Sequence, residues 1–373
     1  MFADHLNMMR LAVVEARKGV GKTAPNPAVG CVIVKDGAIV GKGWHKKAGT
    51  PHAEVHALRA AGALAEGADV YVTLEPCSHF GKTPPCARAL IEARVARVFV
   101  AMVDPNPLVS GRGIGMLREA GIEVEVGLLE AESRELNRPF IKWIQTRRPY
   151  VVLKSALTLD GMSATASGDS KWVTGDAARR EVHRLRGRLD AIMVGVGTVI
   201  KDDPLLTCRV PGGKDPLRVI VDSTLRIPRH AALFSLKSQA PTVIATCCTD
   251  TAGIEAVVAH GVEVLVCKEK EGRVDLDDLL TKLGDRGVQS ILLEGGHHLA
   301  GAFVRGGLID HCMLFLAPKL VGGAGTGLFA GEGVHLMADA IRLEDVKVKR
   351  IGVDLLVEGT PKTQTGSTFN VRR

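Results

Sequence analysis

Pro51-His-Ala-Glu-Val-His-Ala-Leu58 and, after a strand-like run, Thr73-Leu-Glu-Pro-Cys-Ser-His-Phe-Gly-Lys-Thr-Pro-Pro-Cys86 form the stretch from which the chain is read. Its polar residues suit zinc. Zn²⁺ takes imidazole and thiolate ligands in a tetrahedral set, and a site that performs chemistry keeps three protein ligands and one open position. His52, Cys77 and Cys86 supply three, and Glu54 is placed to move a proton rather than to ligate. Pro51 suits the first turn of a helix, where its missing N–H costs nothing. His52 and Glu54 are then expected in that turn, near the helix axis, converging on one ion. A second helix is expected from Pro84-Pro85-Cys86, and a helix N-terminus lowers a thiol's pKa toward the thiolate that a metal needs.

The order His-x-Glu, then Pro-Cys and a second Cys, is the pattern of zinc nucleobase deaminases, in which the Glu is the proton shuttle. Eight residues rather than two separate the cysteines here, an insert suited to covering or shaping a pocket. A lone intracellular Cys is usually a small buried apolar residue. Four residues in matching order, with Pro51 and Pro76 placed alike, set that reading aside. His56 and His79 are rival ligands. His52 and His56 have the spacing of a zinc-protease helix, but that motif needs Glu directly after the first His, where this chain has Ala53. Gly-Lys-Thr occurs at 21–23 and 81–83, yet a Walker loop requires an earlier Gly where Ala16 and Pro76 stand. Lys82 remains a pocket candidate on the loop between the cysteines.

At 373 residues the chain is long enough for two domains, and 46% hydrophobic with 4% aromatic residues implies aliphatic cores. Arg10, Glu15, Arg17 and Lys18 interrupt any leader-like apolar run. No stretch approaches the roughly 20 apolar residues of a membrane span, so a soluble, unprocessed, cytoplasmic protein is expected. Eight cysteines without framework spacing fit a reducing compartment; all but Cys77 and Cys86 are read as core or incidental. A net charge of +7 suits nucleic acid or a small phosphorylated ligand. Aromatics are not interleaved with the basic residues as stacking platforms would be, so the small phosphate is preferred.

Outward from the zinc stretch, elements alternate. Leu6, Met9 and Val13 mark a helix over 4–18. Strands at 31–34 and 39–41 flank the hairpin signal Asp36-Gly37. Strands follow at 68–74, 97–103 and 122–126, with helices at 113–120 and, long and amphipathic, at 130–146. This is an α/β layered domain over residues 1–147. Arg147-Arg148-Pro149 reads as a linker to a second domain, 148–360, before a loose polar tail, 361–373. Its strands are expected at 150–154, 191–194, 218–221, 242–246, 262–266, 290–293, 312–316 and 354–357, and its helices at 176–188, 276–283 and from Gly295-Gly296 to Val304. Strand, Gly295-Gly296 and helix present free N–H groups to a pyrophosphate, and Gly195 and Gly197 permit close backbone approach. Glycines at strand ends also serve tight turns, and no Gly-x-Gly-x-x-Gly fingerprint is present, which argues against a standard Rossmann domain. Arg179, Arg180, Arg184, Arg186 and Arg188 crowd one helix, mostly as a solvated face, with one or two available for a phosphate. Asp202-Asp203 suits an acid, a ribose ligand or a turn with Pro204.

Taken together, Pro25-Asn-Pro-Ala-Val-Gly-Cys-Val-Ile-Val34, His52-Ala-Glu-Val-His-Ala-Leu58, 73–86, Asp104-Pro-Asn-Pro107, Leu159-Asp-Gly161, Asp202-Asp-Pro-Leu-Leu-Thr-Cys-Arg209 and Glu294-Gly-Gly296 resemble the bacterial bifunctional riboflavin-biosynthesis deaminase–reductase family over nearly the whole chain. The long-spaced cysteines are characteristic of that family. The resemblance implies a cytidine-deaminase-like three-layer domain that removes an amine from a diaminopyrimidinone bearing a ribosylamino phosphate. It also implies a dihydrofolate-reductase-like domain that reduces the ribosyl group to a ribityl chain with NADPH. By resemblance Asn26, Lys82, Asp104 and Asn106 meet the pyrimidine or its phosphate. Ser170, Arg186, Leu206, Arg209 and Glu294 meet the reductase substrate, and Lys154 is a further candidate near the reacting sugar. Ala156, Trp172, Thr198, Asp202, Ser223 and the helix start Gly296, His297, His298, Leu299, Ala300, Gly301 and Ala302 meet NADPH. A homodimer or higher homo-oligomer is expected, without nucleic-acid or membrane partners. A nucleic-acid deaminase with an appended domain predicts no use for NADPH. A structural zinc module predicts four closed ligands and a dispensable Glu54.

Overall fold

A computed structural model describes residues 2–78, 84–107 and 109–362; Lys82, His79 and the tail from 363 onward lie outside the described residues. The chain divides into two units, residues 1–147 and 148–373. The first runs α1 (Phe2–Arg17), β1 (Gly30–Lys35), β2 (Ala38–Trp44), α2 (Ala53–Ala61), β3 (Asp69–Val72), α3 (Cys86–Glu92), β4 (Arg97–Val100), α4 (Arg112–Glu119), β5 (Glu123–Val126), α5 (Glu130–Leu136) and α6 (Arg138–Thr146). Asp36 and Gly37 take positive φ, 49° and 78°, the backbone that a tight hairpin needs. They fold β2 back antiparallel on β1. The sheet order is β2-β1-β3-β4-β5, with β3, β4 and β5 parallel.

Period-two alternation sorts the strand residues between two cores. Cys31, Ile33, Val70, Val72, Val98 and Val100 meet Ala53, Ala57, Leu90 and Leu117 of α2, α3 and α4. On the other face Val32, Tyr71 and Phe99 meet Met9 and Ala12 of α1. The result is three layers. The small face Ala53, Ala57, Ala61 lets α2 lie directly on β2. A Cβ at Gly43 would stand 2.2 Å from Ala53 O, and one at Gly41 2.3 Å from Ala57 O.

Two local expectations change. His52 is not inside the first turn of α2. It is the N-cap, with extended backbone (φ −75°, ψ 172°), and Pro51 precedes it. From that position the ring is free of the helix cylinder, while the His52 carbonyl still accepts the His56 N–H. The helix expected over 130–146 is two helices, broken at Asn137 (φ −111°, ψ 16°). The Asn137 side chain accepts from Ala28 N at 2.9 Å and donates to Ala28 O at 3.1 Å, and Pro139 in the first turn of α6 has no N–H with which to continue the earlier ladder.

The second unit continues with β6 (Tyr150–Thr158), β7 (Met162–Ala164), α7 (Asp176–Arg188), β8 (Ala191–Gly195), α8 (Val196–Asp202), β9 (Leu217–Val221), β10 (Thr242–Thr246), α9 (Thr251–Val258), β11 (Glu263–Val266), β12 (Glu269–Lys270), β13 (Arg273–Val274), α10 (Leu276–Asp285), β14 (Ser290–Glu294), α11 (His297–Arg305), β15 (His311–Ala317), β16 (Thr326–Gly327), β17 (Leu343–Ile351) and β18 (Asp354–Pro361). Its large sheet has the order β11-β10-β9-β8-β14-β6-β15-β18-β17. Strands β11 through β15 in that order run parallel, and β18 and β17 close it antiparallel. Runs such as Ser290-Ile-Leu-Leu-Glu294 are buried throughout, as expected of parallel strands covered on both faces. Here α10 and α11 cover one face, and α7 and α9 help to cover the other. Strand β17 was not expected from the sequence. Its residues are almost all exposed, so no buried face imprints an alternating pattern on Leu343-Glu-Asp-Val-Lys-Val-Lys-Arg-Ile351. Among the described residues no helix is long and apolar enough to cross a membrane.

Candidate active sites

In the first unit, the His52 cap and the start of α3 bring three donors together. His52 Nδ1 lies 3.6 Å from Cys77 Sγ and 3.4 Å from Cys86 Sγ, and all ligand atoms fall within 4.8 Å of one another. A tetrahedral zinc with Zn–S of about 2.3 Å and Zn–N of about 2.0 Å sets such N···S separations at about 3.5 Å. The donor set therefore fits that ion. Among the described residues this is the only such cluster, and His56 stands outside it.

The two thiols share one proton: against the expectation from its place at a helix start, Cys86 is pushed up, by its hydrogen bond to Cys77 first and then by burial. The Cys86 thiol, then His52 and the Cys86 backbone N–H (3.2 Å from the sulfur), outweigh burial and draw Cys77 well down. Cys77 in turn draws His52 up. Glu54 is 3% exposed, and its Oε2 has no hydrogen-bond partner. Burial first, then Cys77, pushes this carboxyl up to about 7, against the pull of His52.

His45 is a neighbour that no motif marked. It is buried, its ring meets His52 edge-on at 5.0 Å between centroids, and its Nδ1 lies 3.2 Å from Pro51 O. A neutral ring with its proton on Nδ1 donates there and leaves Nε2 to accept from Asn26 Nδ2 at 3.1 Å. Burial, with His52 and His56 nearby, lowers the His45 pKa despite the Pro51 carbonyl. Asn26 is thereby fixed relative to the metal-donor ring. Asp104 and Asn106 sit together on the loop after β4, where Asp104 Oδ1 accepts from Asn106 N at 2.8 Å.

In the second unit, one cleft of about 2250 Å³ lies over the carboxyl ends of β6, β14, β8 and β9, where open α/β sheets bind ligands. Lys154, Ala156, Ser170, Trp172, Arg186, Thr198, Asp202, Leu206, Arg209, Ser223, Glu294, Gly296, His297, His298, Leu299 and Ala302 all line it. Ala300 and Gly301 do not. Ala300 is buried among the residues beneath the helix, and Gly301 faces Ala330 O, which a Cβ would approach to 2.4 Å. Thr198, early in α8, faces the glycine pair: a Cβ at Gly295 would stand 3.1 Å from its Oγ1.

Register explains how Lys154 and Glu294 meet, since they are direct partners on β6 and β14, with Nζ 3.9 Å from Oε2. Arg186 reaches the same carboxylate from α7 through Nε and Nη2, both at 2.9 Å. Of the arginine cluster on α7, Arg179 lies over the Trp172 ring at 4.4 Å and pairs with Asp176, and Arg184 pairs with Glu181. Asp203 ends α8 in the left-handed region and accepts from Ala232 N, which makes it a turn residue.

A metal-donor trio on a cytidine-deaminase-like sheet, followed by a largely parallel-sheet unit with a large cleft at its strand ends, is the build of a deaminase joined to a reductase. Residues 3–102 match the cytidine and deoxycytidylate deaminase zinc-binding region, and residues 149–357 match the RibD C-terminal domain. The riboflavin biosynthesis protein RibD of Actinobacillus pleuropneumoniae is 48% identical over 355 residues, covering 95% of this chain and 94% of that protein. The Aquifex aeolicus RibD is 46% identical, covering 94% and 97%. Among solved structures, RibD of Acinetobacter baumannii superposes with a TM-score of 0.87 at 40% identity, covering 97% of this chain and 100% of that one. The diaminohydroxyphosphoribosylaminopyrimidine deaminase/5-amino-6-(5-phosphoribosylamino)uracil reductase of Thermotoga maritima gives 0.86 at 36% identity, covering 96% and 99%. The chain belongs to the RibD family, the bacterial bifunctional deaminase–reductases of riboflavin biosynthesis.

Proposed function

We propose that the first unit hydrolytically deaminates a diaminopyrimidinone carrying a ribosylamino phosphate, and that the second reduces the ribosyl group of the product to a ribityl chain with NADPH. The observation that carries the first half is the unpartnered, buried Glu54 Oε2 beside a donor trio with tetrahedral spacing. His52, Cys77 and Cys86 would hold Zn²⁺, which supplies Lewis acidity and lowers the pKa of a water toward neutrality. Glu54 takes the proton from the attacking water and returns it to the leaving amine. The Glu54 Oε2 is buried with no hydrogen-bond partner of its own, which leaves it free to take and return that proton. Asn26, fixed through His45, and the Asp104–Asn106 loop orient the pyrimidine.

In the second unit NADPH supplies the hydride. Gly296, the first turn of α11 and Thr198 would hold its pyrophosphate, and Ala156, Trp172, Asp202 and Ser223, which line the same cleft, would hold the rest. Ser170, Leu206 and Arg209 bound the substrate. Arg186 and Lys154 share the single carboxylate of Glu294, leaving surplus positive charge for a phosphorylated, polyhydroxyl substrate. The partner is a small soluble molecule, and the active unit is a homodimer or higher homo-oligomer in the cytoplasm.

The test follows NADPH absorbance with the diaminopyrimidinone phosphate as substrate. Wild type consumes NADPH; Glu54→Gln does not, and adding the already deaminated compound restores consumption. If Glu54→Gln matched wild type, Glu54 would not be the shuttle or reduction would not require deamination. If wild type left NADPH untouched with both compounds, the reductase reading would fall.

A further inference from the structure

We propose that Glu75 is a positioning residue of the deamination: its carboxylate clasps the Asp104–Asn106 loop to the segment that carries Cys77. This inference rests on the reading that the loop meets the substrate. Glu75 lies two residues before Cys77 and is 4% exposed. Its own N–H donates to Met102 O at 3.0 Å, which anchors it beside the end of β4. Four backbone N–H groups converge on its two oxygens. Oε2 accepts from Asp104 N at 3.1 Å and Gly111 N at 3.0 Å, and Oε1 accepts from Gly113 N at 2.9 Å and Ile114 N at 3.3 Å.

The four donors are not scattered. Asp104 opens the loop and Gly111 closes it as the N-cap of α4, so one oxygen ties both ends together. Gly113 and Ile114 belong to the first turn of α4, whose N–H groups have no partner within the helix and whose dipole favours an anion there. Their acceptor comes from a distant strand end rather than from a local capping side chain. Gly113 shows how close the approach is, since a Cβ there would stand 1.9 Å from Pro76 O. Inside the loop, Asn106 O accepts from Val109 and Ser110 N–H, and Asp104 Oδ1 accepts from Asn106 N–H. These bonds tie the described residues 104–107 and 109–111 together, and the Glu75 carboxylate sets their place relative to Cys77. None of these bonds involves the three metal donors or Glu54, so a fault in the clasp displaces the substrate loop and leaves the metal cluster in place.

Glu75→Gln keeps the size of the side chain but presents an NH₂ group to two of the four donors. In the full-length protein we expect KM for the diaminopyrimidinone phosphate, followed by ammonia release, to rise about tenfold or more. Zinc content should stay at the wild-type level, and NADPH consumption with the deaminated compound should be unchanged. Asn106→Ala tests the underlying reading. If its KM equals that of wild type, the loop does not meet the substrate and the proposal falls with that reading. If Asn106→Ala raises KM and Glu75→Gln does not, the proposal alone falls. Loss of zinc in Glu75→Gln also overturns it, because Glu75 would then support the metal cluster. Should Glu75→Gln fail to fold, Glu75→Asp, which retracts the charge by one methylene, is read by the same measures.

Discussion

Arg186 and Glu294, 108 residues apart in sequence, face each other as a two-pronged ion pair, with Nε–Oε1 and Nη2–Oε2 both at 2.9 Å. Lys154 Nζ stands 3.9 Å from Oε2, the oxygen that Arg186 Nη2 also binds. Burial alone would raise Glu294, but the charges of Arg186 and Lys154 outweigh it and hold the carboxyl at about 2. Lys154 moves down even beside this carboxylate, because burial and Arg186 together oppose its charge.

Glu294 links this pairing to acid stability. Its folded-state value of about 2 lies below the ordinary 4.5, so its contribution is complete above about pH 4.5 and fades as pH falls toward 2. The size is on the order of 3 kcal/mol. Glu294→Gln leaves two cations facing no charge, and the second unit should lose about 3 kcal/mol near neutral pH, with a flatter stability curve between pH 4.5 and 2. Urea unfolding across that range checks this, and superimposable curves for the two proteins would count against the pairing.

The metal donors predict a clean division between the two activities. Cys77→Ser and Cys86→Ser should each bind less than a tenth of the wild-type zinc, as measured by atomic absorption, and lose deamination. Reduction of the deaminated compound should persist. A chelator should have the same effect on wild type, with recovery on adding zinc back. Parallel loss of both activities would show that the trio serves folding of the whole chain.

Asn137 binds Ala28 through both backbone groups and is 3% exposed. Asn137→Ala leaves those groups unpaired and should destabilise the first unit by about 2 kcal/mol. Ala28 lies two residues from Asn26, so KM for deamination should rise as well. Calorimetry and steady-state kinetics test the two parts separately, and an unchanged unfolding temperature would refute the first.

Gly43 and Gly115 make opposite predictions for the same substitution. A Cβ at Gly43 collides with Ala53 O at 2.2 Å, whereas one at Gly115 meets nothing within 4 Å. Gly43→Ala should push α2 off β2, cost about 1–3 kcal/mol and lower zinc occupancy. Gly115→Ala, in helix α4, should be neutral or stabilise by about 0.5 kcal/mol or more. Equal stabilities for the two variants would refute the close approach of α2.

His45→Ala removes the acceptor that fixes Asn26. KM for deamination should rise severalfold while zinc content is retained. His45→Gln, whose amide can both donate and accept, should recover part of the loss. Loss of zinc in His45→Ala would instead make the edge-on contact with His52 the important one.

Much of the chemistry was legible in residue identity. His52, Glu54, Cys77 and Cys86 are types with few alternative reasons to appear in that order, and the parallel strands declared themselves as apolar runs because both faces are buried. Local geometry was less legible. His52 falls on the cap rather than in the turn, since Pro51 is compatible with either position. Strand β17 is nearly all exposed, so it left no hydrophobic imprint.

By itself the sequence marked the His52, Cys77, Cys86 donor set, the candidate proton shuttle Glu54 and the two α/β units, because these depend on side-chain chemistry and short-range periodicity. Only the tertiary structure decided that Arg186 meets Glu294, that Asn137 holds Ala28 and that Glu75 gathers the N–H groups of Asp104, Gly111, Gly113 and Ile114. Those partners lie between 29 and 109 residues apart. Their meeting depends on strand order, register and how closely helices lie on the sheets, and no local pattern encodes these.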